Sequence, residues 1–154
     1  MYNIDNTDPN TKFLPRLKFE KTHDLAKLPT KNHEHDTGYD VYSIEDADIP
    51  ARGSATVGVG LKFASIPEGY WVKVESRSGL GFKHGIMAHP GIIDCGYRGD
   101  AGVKLYNFTD IPYQVKAGDR IAQFVVYLNF SMPVEWGIME ETVRGDKGFG
   151  SSGK

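Results

Sequence analysis

The 154-residue sequence predicts an all-β domain, a sandwich or barrel with one short helix, and three observations carry that prediction. Apolar residues alternate at period two in several runs. The alternation is clearest where Ala55, Val57, Val59, Leu61 and Phe63 share one parity and Thr56, Gly58, Gly60 and Lys62 take the other. Eighteen glycines and eight prolines fall largely between such runs, as short strands joined by tight turns require. Outside Ser78–His84 no stretch shows a convincing helical pattern.

Residues 1–16 mix Asn, Asp, Thr and Pro without periodicity and read as an N-terminal extension. Leu17-Lys18-Phe19-Glu20-Lys21 alternates like a strand, and Pro29 ends any regular structure after Leu25 and Leu28. His33-Glu34-His35-Asp36 has the residue types of a metal site. Neighbours in a loop diverge, however, and no further ligand is spaced to complete the set, so the stretch reads as a solvated loop. Thr37–Tyr42 restarts a strand, and Asp40 stands there among apolar and aromatic neighbours where an acid is unexpected. Ala55–Phe63 and Tyr70–Glu75 flank the turn Ser65-Ile66-Pro67-Glu68-Gly69, which predicts that the two strands pair. Ser78 is placed to cap a short helix that runs through Phe82 to His84 and ends at Gly85.

Pro90-Gly91 then opens a second hairpin. Ala101–Phe108 and Ile121–Phe130 complete the strands, separated by Thr109-Asp110-Ile111-Pro112 and Ala117-Gly118-Asp119. The folded domain is placed at 17–139. Residues 140–154 offer little apolar surface beyond Val143 and Phe149 and read as a flexible C-terminal arm.

Composition bounds the function. The chain fits one domain with a core of modest size. Eighteen basic residues nearly balance twenty acidic ones, so bulk charge points to neither nucleic acid nor membrane as partner, and an anionic ligand must be held locally. The single cysteine, Cys95, makes no internal disulfide and no cysteine-based zinc site. With no signal peptide or membrane span visible, an intracellular protein, cytoplasmic by default, is expected.

The chemistry gathers around Gly91-Ile92-Ile93-Asp94-Cys95-Gly96-Tyr97-Arg98-Gly99-Asp100. Asp94 and Gly96 are turn formers, which sets Asp94 and Tyr97 at the first and fourth positions of a tight turn. A carboxylate beside a ring can activate a water next to a planar or sugar group. Taken alone, the same residues are better read as a capped turn over core. Four other stretches, however, each offer a part that a nucleotide site needs: Asp40, Arg77-Ser78-Gly79, Arg120 to Gln123, and Arg144 to Gly153. In the last of these, backbone N–H groups and hydroxyls can wrap a phosphate while the ring of Phe149 stacks on a base.

With these parts in hand the chain closely resembles the trimeric dUTPase family. Five motifs stand in order: Gly38-Tyr39-Asp40-Val41, Arg77-Ser78-Gly79-Leu80, Gly91 to Gly99, Gly118-Asp119-Arg120-Ile121-Ala122-Gln123, and Arg144-Gly145-Asp146-Lys147-Gly148-Phe149-Gly150-Ser151-Ser152-Gly153. The resemblance spans Leu17 to Lys154. It implies a jelly-roll subunit of the β-clip type, a homotrimer with shared sites, and Mg²⁺-assisted hydrolysis of dUTP to dUMP and pyrophosphate. It further implies that Asp94 is the general base for a water attacking the α-phosphorus and that Tyr97 packs under the deoxyribose. Backbone groups of Gly91, Ile92, Ile93 and Asp94, with Gly102, would read uracil. Arg77, Ser78, Gly79 and Gln123 would hold the phosphates, and Asp40 would fix the hydrated metal through water. Arg144, Phe149, Gly150, Ser151 and Ser152 would close over the substrate.

Elementary chemistry agrees with these implied roles. Cleaving a phosphoanhydride is mainly positioning and charge stabilisation, which arginines beside Gly/Ser stretches supply. An acid near a triphosphate calls for a bridging cation. Two rival readings share parts of the pattern. A dCTP deaminase, or a bifunctional deaminase, would need a glutamate base, and Ala101-Gly102-Val103-Lys104-Leu105 has none. A dUTP-sensing module with a regulatory protein partner would carry its contacts on residues 1–16 or on loops near the arm. Ala88, His35-Asp36-Thr37 and Ser152 depart from residues common in the family, and Asp119 is expected to form a turn and to pair with Arg120.

Overall fold

Ten strands and one helix follow in chain order among the described residues: β1 Lys18–Lys21, β2 Tyr39–Tyr42, β3 Ala47–Ile49, β4 Ser54–Ser65, β5 Tyr70–Glu75, α1 Ser78–His84, β6 Ile86–Ala88, β7 Gly91–Ile93, β8 Asp100–Asn107, β9 Tyr113–Val115 and β10 Arg120–Leu128. They come from a computed structural model that describes residues 14–143 and 145–146. Two four-stranded antiparallel sheets, ordered β1-β4-β8-β6 and β2-β10-β5-β7, pack against each other, and β3-β9 forms a small third sheet. The fold is all-β, as the alternating runs require.

The alternation in β4 becomes burial: Val57, Val59, Leu61 and Phe63 are inside. Three rings join the sheets, with Phe63 of β4 lying 4.8 Å from Phe19 of β1 and 5.3 Å from Phe124 of β10. Such offset aromatic contacts add to the area they bury. On β10 the neighbours Ile121 and Ala122 are both buried, because a β-bulge interrupts the register with β2 between Arg120 and Ala122.

Two expected pairings give way to longer-range ones. β4 and β5 lie in different sheets: β4 is flanked by β1 and β8, and β5 by β10 and β7. The Ser65–Tyr70 link therefore crosses from sheet to sheet, with Ile66 buried along the way. Likewise β7 pairs with β5, whereas β8 pairs with β4 and β6, so Asp94–Gly99 bridges the sheets instead of heading a hairpin. Local turn signals specify a reversal but not the edge that receives the next strand. The helix is where the sequence puts it and Gly85 closes it, but its N-cap is Arg77, with no side-chain capping bond, so Ser78 is the first helical residue and not the cap.

Beyond β10, residues 129–143 form no strand or helix. Phe130, Met132, Val134, Trp136 and Ile138 are exposed there, Trp136 completely, at 103% of its reference area. Their period of two is that of a strand with an uncovered face. Among the described residues no helix is long and apolar enough to cross a membrane.

Candidate active site

Pairing of β2 with β10 sets Asp40 opposite Gln123. The other edge of Asp40 is held by Thr30, whose N–H donates to Asp40 O at 3.2 Å and whose carbonyl accepts the Asp40 N–H at 2.7 Å. With its main chain gripped on both sides, Asp40 aims a carboxylate, only 15% exposed, at two arginines. Arg77 Nε donates to Oδ1 at 2.7 Å and Arg120 Nη1 to Oδ2 at 3.1 Å. Arg77 Nη1 also donates to the carbonyl of Arg120 at 3.2 Å. Hydrogen bonds to charged groups contribute on the order of 1.5–3 kcal/mol each where water is excluded, and less on the half-exposed Arg120 side.

Arg120 and Gln123 differ in strand parity, yet both line the same cleft, because the β-bulge after Arg120 re-aims one of them. Gln123 Nε2 donates to Ser76 O at 2.8 Å, which fastens the Arg77 loop to β10. Its side chain lies over Gly38, where a Cβ would come 1.9 Å from Oε1. A side chain at position 38 would displace the Gln123 amide from this place. The cleft so formed has a volume of about 390 Å³, and its walls include Asp40, Arg77, Ser78, Gly79, Arg120 and Gln123. Asn32, Asp36 and Thr37 supply the outer rim, and the Asp36 carboxylate there accepts the His33 N–H at 2.8 Å. Behind the arginine, burial first and then the charge of Asp119 push the Tyr113 phenol above its ordinary value against the opposing Arg77 guanidinium. A neutral hydroxyl stands there at neutral pH.

Five residues marked in the sequence, Asp40, Arg77, Ser78, Gly79 and Gln123, thus converge. A second group stands elsewhere on the chain. Asp94, exposed, opens a tight turn whose Tyr97 N–H donates to Asp94 O at 3.0 Å. The Tyr97 hydroxyl donates to Asp100 O at 3.1 Å, and its ring lies over Gly99. Arg98 Nη1 folds back onto the carbonyls of Cys95 and Tyr97 at 2.8 and 2.7 Å. These contacts hold the Tyr97 ring and the main chain of the turn in place. Gly91, Ile92 and Ile93 form β7, Gly102 sits opposite Gly58 on β4, and none of these lines the cleft. Arg144, Phe149, Gly150, Ser151 and Ser152 lie outside the described residues.

The structure corrects one partner and places one departure. Arg120 pairs with Asp40, while the Asp119 carboxylate closes its own turn by accepting the Lys116 N–H at 2.8 Å. Ala88 is buried, and its side chain packs in the core. Asn32, Asp36 and Thr37 went unmarked as cleft residues because a loop position carries no periodicity that points to what it will face.

The dUTPase family model matches residues 24–153. The chain belongs to the dUTPase family. It is 43% identical over 140 residues to the deoxyuridine 5'-triphosphate nucleotidohydrolase of Arabidopsis thaliana, covering 90% of this chain and 84% of that protein. With the probable enzyme of Schizosaccharomyces pombe the identity is 41% over 135 residues, 87% of this chain and 96% of the relative. Among solved structures, the dUTPase of Staphylococcus bacteriophage 80alpha with dUpNHpp superposes with a TM-score of 0.82 at 29% identity, covering 90% and 98% of the two chains. A dUTPase of phage phi11 of S. aureus, described with a structural Mg(II) ion, gives 0.74 at 26% identity, over 82% and 99%. As a member of this family the chain is a dUTP diphosphatase, and neither the deaminase nor the pure sensor is favoured.

The glycine constraint makes a direct prediction for this dUTPase. Gly38→Ala should dislodge Gln123 and with it the Arg77 loop. Its kcat/KM for dUTP is expected to fall by about tenfold or more while circular dichroism shows an intact β fold; activity within twofold of the original would remove the contact from the site.

Proposed function

We propose that the chain hydrolyses dUTP to dUMP and pyrophosphate by attack of a water on the α-phosphorus, with Asp94 as the general base. The observation that carries this reading is the pair of arginines converging on Asp40 in a cleft that also holds Ser78, Gly79 and Gln123. Each arginine keeps N–H groups beyond those used on Asp40, and these suit the oxygens of a polyphosphate. Asp94, exposed at its turn, can accept a proton from water. The Tyr97 ring, braced by Asp100 and Gly99, gives a flat surface for a deoxyribose, and the strand backbone at Gly91–Ile93 offers directional groups to uracil.

Mg²⁺ fits this donor set as an ion carried on the triphosphate. Both Asp40 oxygens are engaged by guanidinium groups, and their remaining lone pairs suit hydrogen bonds from a hydrated ion better than direct coordination. Bound there, Mg²⁺ would neutralise charge on the phosphate oxygens. Arg77 and Arg120 orient the phosphates, and Asp94 positions and deprotonates the water.

The cleft and the turn lie apart on one chain, and Phe130 to Ile138 present an uncovered apolar face. Both features support a homotrimer in which one subunit's turn completes another's cleft, with the arm, including Arg144, Phe149, Gly150, Ser151 and Ser152, closing over dUTP. The reading places the activity inside the cell, where it keeps uracil out of DNA and supplies dUMP for thymidylate synthesis; no nucleic acid or membrane partner is invoked.

Two outcomes test the assignments. Asp94→Asn should bind a non-hydrolysable dUTP analogue within about twofold of the original protein and lose about 100-fold or more in kcat; near-normal kcat would remove Asp94 as the base. Deleting residues 144–154 should leave the trimeric mass by light scattering unchanged and abolish efficient hydrolysis. Full activity without those residues would contradict a closing arm.

A further inference from the structure

Ser76 stands immediately before Arg77, outside every motif, and its hydroxyl and carbonyl are both engaged around the root of the cleft. Its half-buried hydroxyl accepts the Ala88 N–H at 2.9 Å and donates to the Ala88 carbonyl at 3.3 Å. Its own carbonyl accepts Gln123 Nε2 at 2.8 Å. Ala88 ends β6, whose other edge is paired with β8 through Leu105. The serine side chain thus takes the place of a strand partner on the free edge of β6, and its main chain is tied to β10 in the opposite sheet.

This clasp closes a loop. From Ser76 the chain runs through Arg77, Ser78 and Gly79, along α1 and β6, and back to Ala88. Without the hydroxyl, the first rung that closes the excursion is Val74 opposite Gly91. The neck would then lose its direct tie between the two sides. The Ser76 carbonyl beside Arg77 would still be held by Gln123, and His89 by its N–H to Lys104 O at 2.7 Å, but nothing would join Ser76 to Ala88. The Asp40–Arg77 bond alone does not replace the clasp, since it fixes the guanidinium tip while the clasp fixes the backbone from which that side chain springs.

We propose that Ser76 is a positioning residue for dUTP hydrolysis: its hydroxyl, clasped to both main-chain groups of Ala88, sets where the Arg77-Ser78-Gly79 segment meets the substrate's phosphates. Ser76 touches no substrate and acts only through the loop it closes. The assignment rests on the cleft being the phosphate seat, and the experiment separates the two claims.

Steady-state kinetics with dUTP and inhibition by inorganic pyrophosphate are measured for the original protein, Ser76→Ala, Ser76→Thr and Arg77→Gln, with thermal unfolding recorded for each. Ser76→Ala is expected to raise the KM for dUTP and the inhibition constant of pyrophosphate together, by about fivefold or more, with kcat within about twofold. Ser76→Thr keeps the hydroxyl and should bring both constants back toward the original values. A KM and an inhibition constant both within twofold in Ser76→Ala overturn the proposal. So does a fall in kcat alone, which is the mark of a reduced folded fraction, and so does a threonine variant as impaired as the alanine one. If Arg77→Gln leaves pyrophosphate inhibition untouched, the phosphate reading of the cleft fails as well; if it weakens inhibition while Ser76→Ala does not, only the role of Ser76 is lost.

Discussion

The carboxylate of Asp40, held between Arg77 and Arg120, is the constraint on which the cleft depends. Two cations so close together repel, and neither would hold its place facing an open cleft without a shared anion. Asp40 supplies that anion from a strand whose main chain is fixed on one side by Thr30 and on the other by β10. The cost of placing an acid at 15% exposure is offset by bonds to both carboxylate oxygens, the arrangement that makes a largely buried charge tolerable. What remains is a pair of guanidinium groups, oriented in advance and still carrying free N–H donors. A triphosphate meeting such a site requires little reorganisation of the protein.

Around that anchor each neighbouring feature has a mechanical role. The β-bulge on β10 turns Arg120 toward Gln123, and the absence of a side chain at Gly38 lets Gln123 lie flat over β2. The Gln123 amide in turn reaches the carbonyl that precedes Arg77. The acid–aromatic turn is stiffened by other means, with Tyr97 and Arg98 bonded to main-chain carbonyls of their own loop. The cleft and this turn are both built on the β-sandwich, and the apolar residues from Phe130 to Ile138 stand exposed beyond its last strand.

What could be read in advance follows from the range of each interaction. The alternation of β4 predicts its own burial because both are properties of one strand, and the Asp94–Tyr97 turn is encoded within four residues. β3, β6 and β9 have three residues each, too few for a periodic signal to rise above the surrounding loops. Sheet membership of β4, β5, β7 and β8 departs from the local signals because a turn fixes direction and not partner. The partner of Arg120 was misassigned for a related reason: Asp119 is adjacent in sequence, whereas Asp40 is distant and reaches it only once β2 lies beside β10. Ser76 left no sign at all, since a lone serine at a strand end has many ordinary uses and its partner lies across the fold.

The most direct measurement of the central claim is steady-state hydrolysis of dUTP by Asp40→Asn at saturating Mg²⁺. The amide keeps one acceptor but turns a donor toward one arginine, so the shared anchor is lost at nearly constant volume. A fall of about tenfold or more in kcat/KM, with a higher KM and an unchanged fold, is the predicted result. A kcat/KM equal to that of the original protein would show that the arginines hold their positions without Asp40, and would contradict the account.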